Sequence, residues 1–208
     1  MTTANKKIRL GILLSGRGSN FLAIAESIRA GKLAGVEIAV VIANVADAGG
    51  IQEAAKLGLP HAVFVSKGRK RAEHDADVTA CLRQHDVDLV ILAGYMRLLS
   101  PEFIAAFPNR ILNIHPSLLP SFTGLDAQTQ AFEYGVKVAG CTVHFVDEHL
   151  DHGTIILQRT VPVEEGDDAH ALAERILVQE HIAYSEAIGR VVSGEYVIEG
   201  RRFVRRNH

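Results

Sequence analysis

Asn113 and His115 stand two residues apart in the aliphatic run Arg110–His115 (RILNIH), which Pro116 then breaks. In a strand, that spacing puts both side chains on one face, at the strand's carboxyl end. An aliphatic strand gains no packing from an amide and an imidazole on one face, and burying them is costly unless both are hydrogen-bonded. The pair suits a site where an amide N–H and an imidazolium N–H stabilise an oxyanion. The plainer alternative is that it only anchors the following loop, PSLLPSF. A third, acidic member is expected, because a carboxylate beside an imidazole favours its charged form. Asp147, Glu148 and Asp151 are the candidates, and spacing does not choose among them. Asp151 is attractive because Leu150-Asp151-His152-Gly153 reads as a tight bend before a strand.

Two other readings are weaker. His144, His149 and His152 invite a metal, but no cysteine pair or HExxH helix accompanies them, so no metal is expected. Cys141 and His144 are three apart, on opposite faces of a strand, which argues against an activated thiol.

A second chemical feature is Ser15-Gly16-Arg17-Gly18-Ser19-Asn20, between an aliphatic run and a helical pattern. Glycines there let the backbone approach a ligand, and the first-turn N–H groups of the helix point at an anion. Ser19 and Asn20 as simple helix caps are the bland alternative. Phe21 fills the slot of the third glycine of a dinucleotide fingerprint, and the Lys-Ser/Thr of a nucleotide P-loop is missing. A monophosphate fits better than a dinucleotide.

The elements that must position these groups follow from periodicity. Ile8–Leu14, Val36–Ala43, His61–Val65 and Asp88–Ala93 read as strands, continuous aliphatic runs of the kind buried on both faces of a parallel sheet. Between them lie helical patterns: residues 21–31 with Leu22, Ala25 and Ile28 in phase, 51–58, and 69–85 with Ala76, Ala80 and Leu82 inward. That alternation predicts an α/β, doubly wound, mostly parallel sheet. After Arg110–His115 come a helix from Leu125 to Tyr134 and strands Val138–Val146 and Thr154–Val163. The short DEHLDHG connection makes those two antiparallel. A long helix spans Asp167–Arg190, with Asp167 or Asp168 as cap. Gly194–Arg206 reads as a hairpin turning at Glu199-Gly200. One continuous domain over 1–208 is expected, with a phosphate-binding half to about residue 100, a catalytic half over 101–190 and the hairpin over 191–208.

Bulk properties exclude some classes. Lys and Arg number 22 against 24 Asp and Glu in 208 residues, so a nucleic-acid partner is not expected. No run of eighteen apolar residues suggests a membrane span, and the amino-terminal segment lacks a cleavable signal pattern. Cys81 and Cys141 read as reduced and buried, which implies the cytosol.

The blocks SGRGSN, LAGYMRLLS, RILNIHPSLLPSF, GCTVHFVDE and LDHG-x-II, in that order, resemble the 10-formyltetrahydrofolate-dependent formyltransferases. Together with the length, they are most similar to the phosphoribosylglycinamide formyltransferases of purine biosynthesis. The resemblance implies a Rossmann-like formyltransferase fold with an antiparallel carboxyl-terminal part. It implies catalytic roles for Asn113, His115 and Asp151. Gly18, Ser19 and Asn20 would hold the acceptor's phosphate and Glu180 its ribose hydroxyls. Met96, Arg97, Leu98 and Leu99, with Val146, Asp147, Glu148 and Leu150, would line the pocket for 10-formyltetrahydrofolate, the co-substrate. The implied partners are those two small molecules, with a monomer or homodimer expected and no metal required. Thr123, Asp126 and Gln128 depart from the family pattern, where proline and two histidines are common; a looser loop is expected, with activity retained. A formyltetrahydrofolate hydrolase, or transfer to another amine, is the nearest alternative. The sequence assigns no role to Arg201, Arg202, Arg205 and Arg206.

Overall fold

A computed structural model describes residues 6–206; Met1–Asn5, the start of the amino-terminal segment read above, and Asn207–His208 lie outside them. The fold is α/β, Rossmann-like, with a mostly parallel sheet and antiparallel carboxyl-terminal strands. The chain forms two compact units that divide within one strand, between Leu112 and Asn113.

The first unit contains β1 (Ile8–Leu14), α1 (Ser19–Arg29), β2 (Val36–Ala43), α2 (Gly49–Lys56), β3 (His61–Val63), α3 (Arg71–Gln84), β4 (Leu89–Leu92) and α4 (Pro101–Ala106). Its strands run in the order β3-β2-β1-β4, all parallel. Leu10, Ile12, Leu13 and Leu14 of β1 are fully buried, as are Val40–Ala43 of β2, which explains why these strands read as unbroken aliphatic runs. Strand order reverses between β1 and β4, the place where such sheets bind ligands beyond the strands' carboxyl ends. Ser15, just past β1, ties the two loops there together: its N–H donates to Gly94 O at 3.0 Å, and its Oγ accepts from the Met96 N–H at 2.8 Å.

The expected inward face of α3 holds for Leu82 but is corrected at Ala76 and Ala80. Ala76 and Ala80 are exposed, while His74, Asp75, Val78, Cys81 and Leu82 are buried. The buried phase is set by hydrogen bonding as well as hydropathy. His74 Nε2–H donates to Phe64 O at 2.8 Å, and Asp75 Oδ2 accepts the Ser100 N–H at 2.6 Å. Polar side chains can occupy core positions when their polar atoms are satisfied in this way.

Strand β5 (Ile111–His115) leads into the second unit, with α5 (Ala127–Tyr134), β6 (Val138–Phe145), β7 (Ile155–Pro162), α6 (Ala169–Val192), β8 (Tyr196–Glu199) and β9 (Arg202–Arg205). The order is β5-β6-β7-β9-β8, with β6–β7 and β8–β9 antiparallel. The hairpin turns at Gly200-Arg201, since Glu199 pairs with Arg202. Asp168, not Asp167, caps α6: its carboxylate accepts from Ala171 N–H at 2.7 Å, whereas Asp167 holds Arg175. One face of α6 buries Leu172, Ile176, Ala183, Tyr184, Ala187 and Ile188, and Glu180 lies buried in the same stripe. Among the described residues, no helix is long and apolar enough to cross a membrane.

Candidate active site

The amino-terminal unit carries the glycine loop. Gly18 is the N-cap of α1, with φ 79° in the left-handed region, and no side chain caps the helix. The capping roles considered for Ser19 and Asn20 are therefore not what the structure has. A Cβ on Gly18 would also stand 3.0 Å from Gly50 Cα, so the close loop packing there needs glycine. The N-cap of α1 supplies no side-chain acceptor to the first-turn N–H groups, an arrangement that suits an anion. Beyond β4, Leu99 is 9% exposed and packs as core, but Met96 is 70% exposed and Leu98 also faces outward. Arg97 donates to Arg69 O at 3.4 Å.

The carboxyl-terminal unit gathers Asn113, His115 and Asp151. Strand alternation turns Ile114 into the core and Asn113 and His115 to the opposite face. His115 Nδ1 lies 3.5 Å from Asp151 Oδ2, and that oxygen also accepts the Gly124 N–H at 2.8 Å. Both side chains are below a tenth exposed, so little solvent screens the pair. Asp147 and Glu148, the other acids considered, do not take this place: Asp147 instead binds His152 and the His149 N–H. Asp151 reaches the ring because its backbone is in the left-handed region (φ 49°) and because Gly153 follows. A Cβ at 153 would stand 1.9 Å from Phe145 O, a backbone clash that no side-chain rotation relieves.

His144 is a member that sequence reasoning missed. The sequence offers it as a metal ligand or as a partner for the Cys141 thiol, yet it is buried on β6 and accepts from Asn113 Nδ2 through Nε2 at 3.2 Å. Its Nδ1–H donates to Phe145 O at 2.7 Å, which fixes the tautomer. The contact fixes the Asn113 amide, leaving the second N–H of Nδ2 for a ligand. Burial lowers the His144 pKa below its ordinary value, against the opposing pull of the Phe145 carbonyl and Asp151, so the ring stays neutral as an acceptor.

A stability consequence follows. The unfolded chain protonates His144 at its ordinary value near 6.5, and the folded chain only at lower pH. The contribution is therefore complete above that value and is lost as pH falls through the window below it. Between pH 7.5 and 5.5 the denaturant midpoint is expected to drop. His144→Gln should flatten that dependence by up to about 1.4 kcal/mol per pH unit, one proton's worth. An unchanged pH slope in the variant would exclude His144 as the source.

His115 carries one further constraint. Its Nε2–H donates to Phe122 O at 2.8 Å while Nδ1 faces Asp151, so both ring nitrogens are engaged within the protein. A substrate oxygen that takes the Nε2 hydrogen must displace the Phe122 carbonyl. Phe122 and Asp126 both have positive φ (51° and 54°), which disfavours this loop conformation for non-glycine residues. The departures at Thr123 and Asp126 fall in this segment, and Gln128 follows in the first turn of α5.

Asp147, His149 and His152 bring donor atoms within 4.8 Å of one another, a different set from the three histidines considered above. In this arrangement, however, the His152 Nδ1–H donates to Asp147 Oδ2 at 2.9 Å and Nε2 accepts from Arg201 at 3.0 Å. Both ring nitrogens are thus occupied. On α6, the buried Glu180 lies close enough to Cys141 to raise its pKa. Burial is the larger cause, and the thiol is pushed up to about 12, so it stays protonated.

Residues 8–188 match the family described as formyl transferase. The chain belongs to that family. It is similar to the phosphoribosylglycinamide formyltransferase of Escherichia coli (strain K12), with 39% identity over 184 residues, covering 88% of this chain and 86% of that protein. It is 45% identical over 190 residues to the human trifunctional purine biosynthetic protein adenosine-3, covering 91% of this chain but 19% of that one. The chain thus spans 14% to 19% of the length of the trifunctional relatives. Among solved structures, glycinamide ribonucleotide transformylase 1 from Symbiobacterium toebii superposes with a TM-score of 0.95 at 48% identity, covering 100% of this chain and 98% of that one. In this member of the family, the Asn113–His144 and Gly124–Asp151 hydrogen bonds flank the His115–Asp151 contact at 3.5 Å, with His144 Nε2 4.0 Å from Asp151 Oδ1.

Proposed function

We propose that this formyltransferase moves the formyl group of 10-formyltetrahydrofolate to the amine of 5-phosphoribosylglycinamide, giving N-formylglycinamide ribonucleotide and tetrahydrofolate in purine biosynthesis. The observation that carries the reading is the Asp151 carboxylate 3.5 Å from His115, beside an Asn113 amide already oriented by His144.

The uncharged acceptor amine attacks the formyl carbon, and negative charge develops on the formyl oxygen. Asn113 Nδ2–H and an N–H of charged His115 stabilise that charge, the ring hydrogen coming free once substrate replaces the Phe122 carbonyl. Asp151 holds the ring in place and stabilises its positive charge. The carbon–N10 bond then breaks as one proton leaves the amine and one reaches the departing folate nitrogen, with Asp151 positioning a water for the relay. Gly18, Ser19 and Asn20 hold the acceptor's phosphate and Glu180 its ribose hydroxyls. Met96–Leu99 and Val146, Asp147, Glu148 and Leu150 contact the folate. On this reading, residues 1–208 work as one formyltransferase domain in the cytosol.

The test is a transfer assay with the purified chain and both substrates, following formylated acceptor and tetrahydrofolate together. One product of each per turnover is expected. Formate release without formylated acceptor would make the chain a hydrolase of the same donor and overturn the reading.

A further inference from the structure

The Arg201 guanidinium, in the turn between β8 and β9, reaches back to the loop that carries Asp151. One of its terminal nitrogens donates to His152 O at 2.7 Å and the other to His152 Nε2 at 3.0 Å. The same ring passes the contact on, since Nδ1–H donates to Asp147 Oδ2 at 2.9 Å. Asp147 Oδ1 in turn accepts the His149 N–H at 2.9 Å. The bend from 147 to 152 is thus closed at both ends by one chain of hydrogen bonds that begins on the carboxyl-terminal hairpin.

The hairpin itself is firmly seated. Phe203 meets Phe145 edge-on with centroids 5.6 Å apart and stacks on Tyr196 at 5.1 Å. Arg190 of α6 lies 5.9 Å over the Tyr196 ring, and Arg202 of β9 pairs with Ile155 of β7. Phe145 ends β6 immediately before the loop, so the hairpin and the loop share one anchor.

Asp151 is the residue just before His152, and it holds a left-handed backbone that a residue with a Cβ rarely adopts. Such a conformation persists only where its surroundings enforce it. On one side Gly153 packs so closely that an added Cβ would stand 1.9 Å from Phe145 O. The carbonyl of His152 is the remaining handle, and Arg201 holds it.

We infer that Arg201 is a positioning residue for the proposed transfer: by clamping the His152 carbonyl and ring, it keeps the Asp151 carboxylate at His115 and Gly124. The inference rests on the function proposed above. It also gives the carboxyl-terminal hairpin a role in the active site, through a residue that touches no substrate.

The experiment compares the full chain with Arg201→Ala, Arg201→Lys and, as control, Arg202→Ala, whose side chain is 77% exposed and lies 4.0 Å from Glu199. A small displacement of a catalytic group costs up to about a hundredfold in rate, so Arg201→Ala is expected to lose about ten- to a hundredfold in kcat. KM for the acceptor should change by less than about twofold. An exposed ion–dipole contact adds little to stability, so Tm should move by less than about 3 °C. Lysine can reach the carbonyl but not carbonyl and ring together, so Arg201→Lys should recover part of kcat. Arg202→Ala should match the unaltered chain.

A readout independent of turnover is the amide resonance of Gly124, whose N–H binds Asp151 Oδ2 at 2.8 Å. Arg201→Ala should shift it and shorten its hydrogen-exchange protection. An unaltered kcat with an unaltered Gly124 resonance would overturn the inference. So would an equal loss in Arg202→Ala. If the unaltered chain transfers no formyl group, the proposed function fails, and the Gly124 resonance still decides whether Arg201 holds Asp151.

Discussion

Replacing Asp151 by asparagine is expected to lower kcat on the order of a thousandfold or more while leaving the fold intact. The two side chains are the same size, and the asparagine carbonyl can still accept the Gly124 N–H that Asp151 Oδ2 accepts at 2.8 Å. What disappears is the negative charge 3.5 Å from His115 Nδ1, in a pair that is nearly solvent-free. Removing the carboxylate partner of a working imidazole costs about ten-thousandfold in the serine-protease triad, where the carboxylate also orients the ring and stabilises its charged form. The same physics applies here without a covalent intermediate. The measurement is kcat with both substrates saturating, alongside Tm. A variant that turns over like the unaltered chain would remove Asp151 from the reaction.

Asn113→Ala is expected to lower kcat by about 10²- to 10³-fold, the usual loss for one oxyanion donor, with acceptor KM nearly unchanged. The argument depends on His144. By accepting one Asn113 N–H at 3.2 Å, it holds the amide in a single orientation before substrate arrives. A preorganised donor stabilises developing charge without reorganisation, which a freely rotating amide would not do. Alanine also leaves the buried His144 Nε2 without its donor, so a stability loss of about 1–3 kcal/mol should accompany the kinetic one. Asn113→Asp keeps the volume but also lacks the amide donor and places a charge near Asp151, so turnover should stay low there too. A loss confined to KM in Asn113→Ala would assign the residue to ground-state binding instead.

Both variants bear on groups whose partners differ in how visible they are along the chain. The Asn113–His115 pair follows from strand alternation alone, a property of successive backbone units that needs no tertiary contact. The glycine loop is legible for the same reason, since Gly16 and Gly18 between an aliphatic run and a helical repeat dictate a tight turn onto a helix start. The buried glutamate of α6 is legible in hindsight, as a carboxylate falling in phase with Ile176, Ala183 and Ala187.

Other features escaped. In α3 only Leu82 of the expected inward residues is buried; Ala76 and Ala80 mislead because alanine carries little hydrophobic signal, whereas His74 and Asp75 are buried by virtue of hydrogen bonds to Phe64 and Ser100, ten and 25 residues away. His144 could not be assigned to Asn113 from spacing, because 31 residues separate them and the contact depends on how β5 and β6 are placed within the second unit.

By itself, then, the sequence determined the α/β alternation, the shared face of Asn113 and His115, the glycine turn before α1 and, through its motif blocks, the family. Spacing left Asp147, Glu148 and Asp151 open, and only the motif blocks pointed to Asp151, which the tertiary structure places at the ring. The tertiary structure alone decided that His144 orients the amide and that Arg201 grips the acid's loop from 49 residues away. The physical reason is range. Periodicity and turn chemistry act over a few residues, whereas a side-chain hydrogen bond requires its two atoms to come within about 3 Å, and for distant residues only the folded sheet sets that separation.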